Sequence, residues 1–125
     1  MIEATDLFER TDKAFRTLRE LANGWTVTPE WARLHAKGTA VGNAGAFYKE
    51  TLANADYNDL AAVISTVNNT INALIETADM DLVIVEDHNG TKEANFRNAL
   101  ASGHADGYKL ALGYFNEEVK YFRAG

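Results

Sequence analysis

Residues 60–75 stand out because this stretch contains no charged residue. Apolar residues recur through it at alternating spacings of four and three, namely Leu60, Ile64, Val67, Ile71, Leu74 and Ala78, with Val63 and Ile75 beside them. This heptad spacing predicts a helix with a coiled-coil-like seam along one face. We expect the helix to begin at Asp56 or Asn58.

The opposite face of this predicted helix is polar but uncharged, with Ser65, Thr66, Asn68, Asn69, Thr70 and Asn72. A helix face in contact with water normally carries Lys, Glu and Arg, which favour the helix and stay hydrated. Asn, Ser and Thr are weaker helix formers, so packing rather than local preference must hold this helix. We therefore expect the polar face to be covered by another helix, by a second copy of the chain or by a ligand.

Amphipathic segments elsewhere in the chain predict further helices over residues 6–22, 28–36, 44–53, 91–103 and 108–122. In the first of them, Glu9 and Lys13 have the spacing of an ion pair on one helix face. Thr28 and Pro29 form a strong helix start, because threonine can cap a helix and proline fits the first helical position. Gly38 is expected to end that helix and to be followed by a turn.

Two segments fit both a helix and a strand. Leu82–Val85 is apolar and mostly β-branched, and we favour a short strand paired with residues 25–27 over an extension of the central helix. Residues 108–122 favour a helix, although their first apolar residues also alternate as in a β-hairpin. The predicted fold is mainly α, a compact bundle of about five to six helices with room for a short two-stranded β element. The alternative is an α+β fold with a C-terminal hairpin.

Length and composition predict one globular domain over residues 1–125. The chain is 46% hydrophobic and 24% charged, which is ordinary for a globular domain. Its lack of cysteine excludes disulfides and cysteine-ligated zinc. No apolar run reaches the roughly 20 residues that cross a bilayer, and the first residues lack a signal-peptide pattern. We expect a cytoplasmic protein that does not bind membranes.

Acidic residues are concentrated in the middle of the chain. The net charge is −6, and between Glu50 and Thr91 there are eight Asp or Glu residues and no Lys or Arg. Such a balance argues against direct nucleic-acid binding. Acidic residues at the C-terminal end of a helix are unfavourable because of the helix dipole, unless a cation compensates them. The candidate surface for a basic partner protein, with a plain solvated surface as the alternative, consists of Glu76, Asp79, Asp81, Glu86 and Asp87.

The candidates for metal binding or acid–base chemistry carry little sequence support. Glu86, Asp87 and His88 form one cluster, and His104 with Asp106 forms another, which could converge in the fold. None of the histidines has the spacing of a metal-ligand motif. The chain also shows no nucleophile motif and no phosphate-binding loop. We therefore expect no cofactor and favour a non-enzymatic protein.

Three hypotheses of function follow from these patterns. The first is a binding protein that forms a homodimer or small homo-oligomer through the polar face and presents the acidic surface to a partner, as a phage or mobile-element inhibitor or adaptor would. Its interface residues would be Ser65, Asn68, Asn69, Asn72, Tyr114 and Tyr121, the tyrosines acting as aromatic anchors. The second is a protein that sequesters a small molecule, such as a nucleotide, on the same face. The third is a metal-assisted enzyme that uses the clusters around His88 and His104.

Overall fold

The computed structural model describes residues 4–22, 28–86 and 92–124 and is almost entirely helical in these ranges. Its four α-helices are α1 (Ala4–Ala22), α2 (Pro29–Ala53), α3 (Leu60–Glu86) and α4 (Lys92–Ala124), with a 3-10 turn at Tyr57–Asp59. The prediction of a mainly α fold is confirmed. The predicted number of five to six helices is wrong, and no strand occurs in the described ranges.

The helix count differs because α2 runs without a break through the predicted end at Gly38. If Gly38 carried a Cβ atom, that atom would lie 3.3 Å from Leu18 Cβ. A Cβ atom at Gly42 would lie 3.0 Å from Phe15 Cδ2. These glycines therefore give α1 room to approach α2 rather than making a turn. The predicted start of α2 is correct, since the Thr28 side chain accepts a hydrogen bond from the Trp31 amide.

The predicted strand and hairpin are replaced by helix. Residues 82–85 belong to α3, which is the helical extension that the sequence left as the alternative, and their proposed pairing segment 25–27 lies outside the described residues. Residues 91–103 and 108–122 do not form separate elements, because α4 continues through Gly103 and Gly107. The C-terminal hairpin is therefore wrong. In these segments the apolar residues also recur at the helical spacing of three and four, and this spacing predicts the structure better than their alternation does.

Two long parallel helices, α2 and α4, form the centre of the bundle. The guanidinium of Arg33 lies 2.8 Å from the Asp106 carboxylate, and the Tyr48 hydroxyl donates a 2.7 Å hydrogen bond to the Ala111 carbonyl. Both contacts advance in the same direction along the two helices, so the helices are parallel. Helix α1 packs mainly on α2, and α3 packs mainly on α4; in the described ranges no Cα atom of α1 lies within 8 Å of one in α3.

The contact between α2 and α4 is made by small residues. Buried alanines recur every fourth residue on α2, at Ala32, Ala36, Ala40 and Ala44. Opposite them on α4, an added Cβ at Gly103 would meet the Arg33 carbonyl oxygen, and one at Gly107 would lie 2.7 Å from Ala40 Cβ. The two backbones are therefore in contact at these positions, which only glycine permits.

Larger apolar side chains fill the space where α3 meets the central pair. Tyr48 and Phe115 are fully buried and stack with their ring centroids 5.6 Å apart. The residues of this cluster are Leu7, Ala44, Tyr48, Leu52, Val63, Val67, Ile71, Ile75, Ala111, Phe115 and Val119. From α3 the buried stripe is Val63, Val67, Ile71, Ile75 and Ala78, whereas Leu74 of the predicted heptad is 37% exposed. In the described ranges, none of the helices has an apolar stretch long enough to cross a membrane.

Candidate interaction surface

The polar face of α3 points away from the rest of the described chain. Ser65, Asn69 and Asn72 are exposed on it. In the described ranges, helix α3 contacts α4, the 3-10 turn and α2. Asn68 and Thr70 of the polar face are half-buried by this packing, whereas Thr66 is exposed like the three residues named above. Of the three occupants expected from the sequence, another helix of the described chain is therefore excluded. A second copy of the chain or a ligand stays a prediction.

A second heptad runs along this exposed side of α3. Its members, which we call the outer stripe, are Ala62, Thr66, Asn69, Ala73, Glu76 and Met80, and all of them are exposed. Met80 is 65% exposed, which is high for a long apolar side chain. Alternating spacings of four and three, with small residues and one central asparagine, are typical of a helix that pairs with another helix. The outer stripe is thus the side of α3 best suited to an interface.

Two of the predicted interface residues have other roles. The Asn68 amide donates a 2.9 Å hydrogen bond to the Ile64 carbonyl, so this half-buried side chain bonds to its own helix. Tyr114 lies on the other side of α4, where its ring is 4.3 Å from the Arg10 guanidinium. Asn68 and Tyr114 therefore do not join the exposed face. The side chain of Tyr121 lies outside the described part.

The acidic surface at the end of α3 is partly described. Glu76 and Asp79 are exposed and form no ion pair with any described residue. The basic residues of α1 do not compensate them, because Arg10 pairs with Glu117 at 3.1 Å and Arg16 pairs with Asp12 at 2.9 Å. The side chains of Asp81 and Glu86 lie outside the described part, as does all of Asp87. The two described carboxylates are available to a partner.

The candidate metal ligands do not form a cluster among the described residues. Asp106 accepts two hydrogen bonds from Arg33, at 2.8 and 3.3 Å, and is committed to that ion pair. His88 lies outside the described residues. Among those described, no group of three potential metal ligands occurs.

His35 belongs to a histidine cluster that sequence analysis did not identify. Its ring stacks on Trp31 at 4.9 Å. Burial lowers the pKa of His35, and the positive charges of Arg19 and His104 lower it further. The signal in the sequence was the i,i+4 spacing of Trp31 and His35, but the approach of Arg19 and His104 depends on the packing of α1 and α4. The cluster disfavours a proton on His35 in the folded state.

Stability is therefore expected to fall as the pH decreases from about 7 to about 5, because the unfolded chain takes up a proton on His35 more readily than the folded chain. Above the ordinary pKa both states are neutral and the penalty is absent. The H35Q variant lacks this group, so the difference in free energy of unfolding between the wild type and H35Q should shrink across this range. Urea unfolding at each pH measures the difference; a constant difference would contradict the assignment.

Two of the cavities lined by described residues lie between helices, and neither was predicted. One of about 440 Å³ lies where α1, α2 and α4 meet and is lined by Arg10, Lys13, Leu18, Lys37, Leu110 and Tyr114 among others. A smaller one of about 350 Å³ lies at the junction of α2 and α3, next to Asp56 and Asp59, and is lined in part by Ala62 and Thr66 from the first part of the outer stripe. Both depend on how the helices pack, which no local motif encodes.

Comparison with known proteins adds no functional information. No protein-family model, curated protein or solved structure matches this chain. The function is therefore inferred from the geometry and chemistry of the described residues.

Proposed function

We propose that the protein is a small, non-enzymatic interaction protein that forms a homodimer through the outer stripe of α3 and presents acidic side chains to a basic partner protein. The observation that carries this proposal is a row of exposed side chains at heptad spacing on α3, on the side opposite to the stripe that packs on the other described helices. Small residues such as Ala62 and Ala73 allow close approach of a second helix, and Met80 adds apolar area.

The charge pattern favours an antiparallel arrangement of the two α3 helices. In a parallel pair, Glu76 would face Glu76 of the second copy, and like charges at an interface are repulsive. In an antiparallel pair centred on Asn69, each Glu76 faces Ala62 of the other copy. The two Glu76 side chains are then separated by about 21 Å along the helix axis.

This arrangement also explains the position of Asn69. At the two-fold axis of a symmetric dimer, a residue meets its own counterpart. The exposed Asn69 amide donates a long, 3.4 Å hydrogen bond to the Ser65 hydroxyl. Its second N–H and its carbonyl oxygen are a donor and an acceptor through which two Asn69 side chains can satisfy each other. A single polar residue of this kind fixes the register of a helix pair.

In the dimer, Asp79 lies beside the interface at each outer end and remains exposed, next to the Glu76 that faces Ala62 of the other copy. Two acidic sites of the same kind are then displayed on one particle, which suits a basic partner that binds in two copies. Such a partner gains from two linked contacts without a stronger individual contact.

The test is the mass of the particle in solution, measured by light scattering after gel filtration and by native mass spectrometry. We expect the wild type to have twice the chain mass of 13.8 kDa. The double variant N69K/N72K should be a monomer, because two lysines from each copy would meet at the interface. The matched control is N43K/N116K, which introduces the same two charges at exposed positions of α2 and α4.

A wild-type protein that is monomeric at micromolar concentration would reject the dimer. An N69K/N72K protein that keeps the wild-type mass would show that any dimer uses another surface. Circular dichroism on each variant ensures that the helices are retained. Extra mass that is lost on denaturation would instead favour the alternative of a carried small molecule.

A further inference from the structure

The cavity between α1, α2 and α4 is lined by positive charge although the protein as a whole is acidic. Arg10 and Lys13 from α1 and Lys37 from α2 lie in its wall, and no Asp or Glu does. The net charge of the chain is −6, so this concentration of cations is a local departure from its average. Clefts lined by one sign of charge attract ligands of the opposite sign.

Two of these three cations have no acidic partner. Lys13 and Lys37 form no ion pair with any residue in the described ranges. The sequence predicted that Glu9 would pair with Lys13, and the structure shows no such pair. Both ammonium groups can therefore bind an anion without first breaking a salt bridge.

Arg10, unlike the two lysines, is paired with acidic residues. It lies 3.1 Å from Glu117 and 3.6 Å from Glu118, and its guanidinium rests over the Tyr114 ring. These contacts neutralise the charge of Arg10 and hold its side chain in place. Arg10 and Tyr114 thus form a fixed side of the cavity, and the two lysines supply the charge.

The remaining lining is apolar. Leu18 is almost fully buried beneath the cavity, Ala14 and Leu110 are half-buried, and Thr17 adds a hydroxyl at the rim. A volume of about 440 Å³ lies in the range of sites for small organic molecules. A free inorganic ion would use the lysines but leave this apolar surface uncovered.

We propose that this cavity is a binding site for a small organic anion, a phosphate or carboxylate that carries an aromatic or aliphatic group. The anionic group lies between Lys13 and Lys37, and the apolar group lies against Leu18 and Leu110. The site is separate from the outer stripe, because no described residue of α3 lines the cavity. It is independent of whether the protein forms a dimer.

The test is a titration with phenyl phosphate followed by two-dimensional ¹H–¹⁵N NMR of the full chain. We expect saturable shifts centred on the cavity, at residues such as Lys13, Thr17 and Leu110. Inorganic phosphate, which lacks the apolar group, and phenol, which lacks the anion, should each bind more weakly than phenyl phosphate. Benzoate distinguishes a site that accepts carboxylates from one that requires phosphate.

The variant K13Q/K37Q removes both free cations and should raise the dissociation constant for phenyl phosphate about tenfold or more. Its matched control is K109Q/K120Q, which makes the same change of charge at two exposed lysines of α4 outside the cavity and should leave binding within about twofold. The single variant K13Q, at an exposed helix position, gives a smaller loss in the same direction if the double variant is unstable. The monomeric N69K/N72K protein should bind as the wild type does.

Three results would overturn the proposal: no saturable binding of either phenyl phosphate or benzoate, equal binding by K13Q/K37Q and the wild type, or shifts that centre away from the cavity. Equal binding of phenol and phenyl phosphate would do the same, because it would remove the role of the anion. None of these results bears on the mass of the particle, so failure here and failure of the dimer are separate.

Discussion

Replacement of Gly107 by alanine is expected to destabilise the protein by about 2 to 3 kcal/mol, although alanine is the better helix former. The new Cβ atom would meet the backbone carbonyl of Lys37 and lie 2.7 Å from Ala40 Cβ. Backbone atoms cannot move aside as a flexible side chain can, so α4 must shift away from α2. The lost contact is the centre of the bundle, which explains the size of the effect.

Gly113 provides a control in the same helix. Nothing lies within 4 Å of a Cβ atom added there, and the residue is exposed. The G113A variant should therefore gain about 1 kcal/mol from helix propensity. Urea unfolding of both variants at one protein concentration measures the two free energies. The same sign for G107A and G113A would show that α2 and α4 do not approach as closely as described.

Truncation of Tyr48 is expected to have the largest effect of any single side chain, about 3 to 5 kcal/mol for Y48A. The ring is fully buried, stacks on Phe115 and fills the space between α2, α3 and α4. Its hydroxyl donates to the Ala111 carbonyl, and burial raises the pKa of Tyr48, so the group stays protonated and continues to donate.

Y48F separates the hydrogen bond from the packing. It keeps the ring and removes the hydroxyl, and the expected loss is about 1 kcal/mol. Thermal and urea unfolding, followed by circular dichroism, give the ratio of the two losses. A Y48F protein as unstable as Y48A would mean that the hydrogen bond, and not the buried ring, holds the two central helices together.

Local sequence patterns correctly predicted those elements whose apolar stripe or capping residues also match their place in the bundle. The amphipathic stripe of α1 and the capped start of α2 at Thr28 appear as expected. The predicted helix ends at Gly38 and at residue 103 are wrong, because a glycine that breaks a helix and a glycine that admits a neighbouring backbone look alike in one sequence. The distinction between Gly38 or Gly103 and a true turn lies in residues far away along the chain.

Some features of the candidate sites were also indicated by the sequence, and others were not. The unusual composition of residues 60–75 predicted a covered polar face on α3. Within the described chain most of that face is exposed, so its cover by a second copy or a ligand stays a prediction. Tyr114 and Asn68 could not be excluded from it in advance, since the direction of a side chain depends on how the helices are rotated. The cavity with Lys13 and Lys37 gave no signal, because its walls come from three helices and no fixed spacing links them.

The parallel arrangement of the central helices has a consequence for folding. Arg33 and Asp106 are 73 residues apart in the chain, and Tyr48 and Ala111 are 63 apart. Contacts between such distant residues form only after a long loop has closed, and the entropy lost on closure slows folding. The α1–α2 and α3–α4 hairpins join neighbouring segments and can assemble early. We expect the docking of one hairpin on the other to limit the folding rate, so this helical protein should fold more slowly than a bundle in which each helix packs on the next.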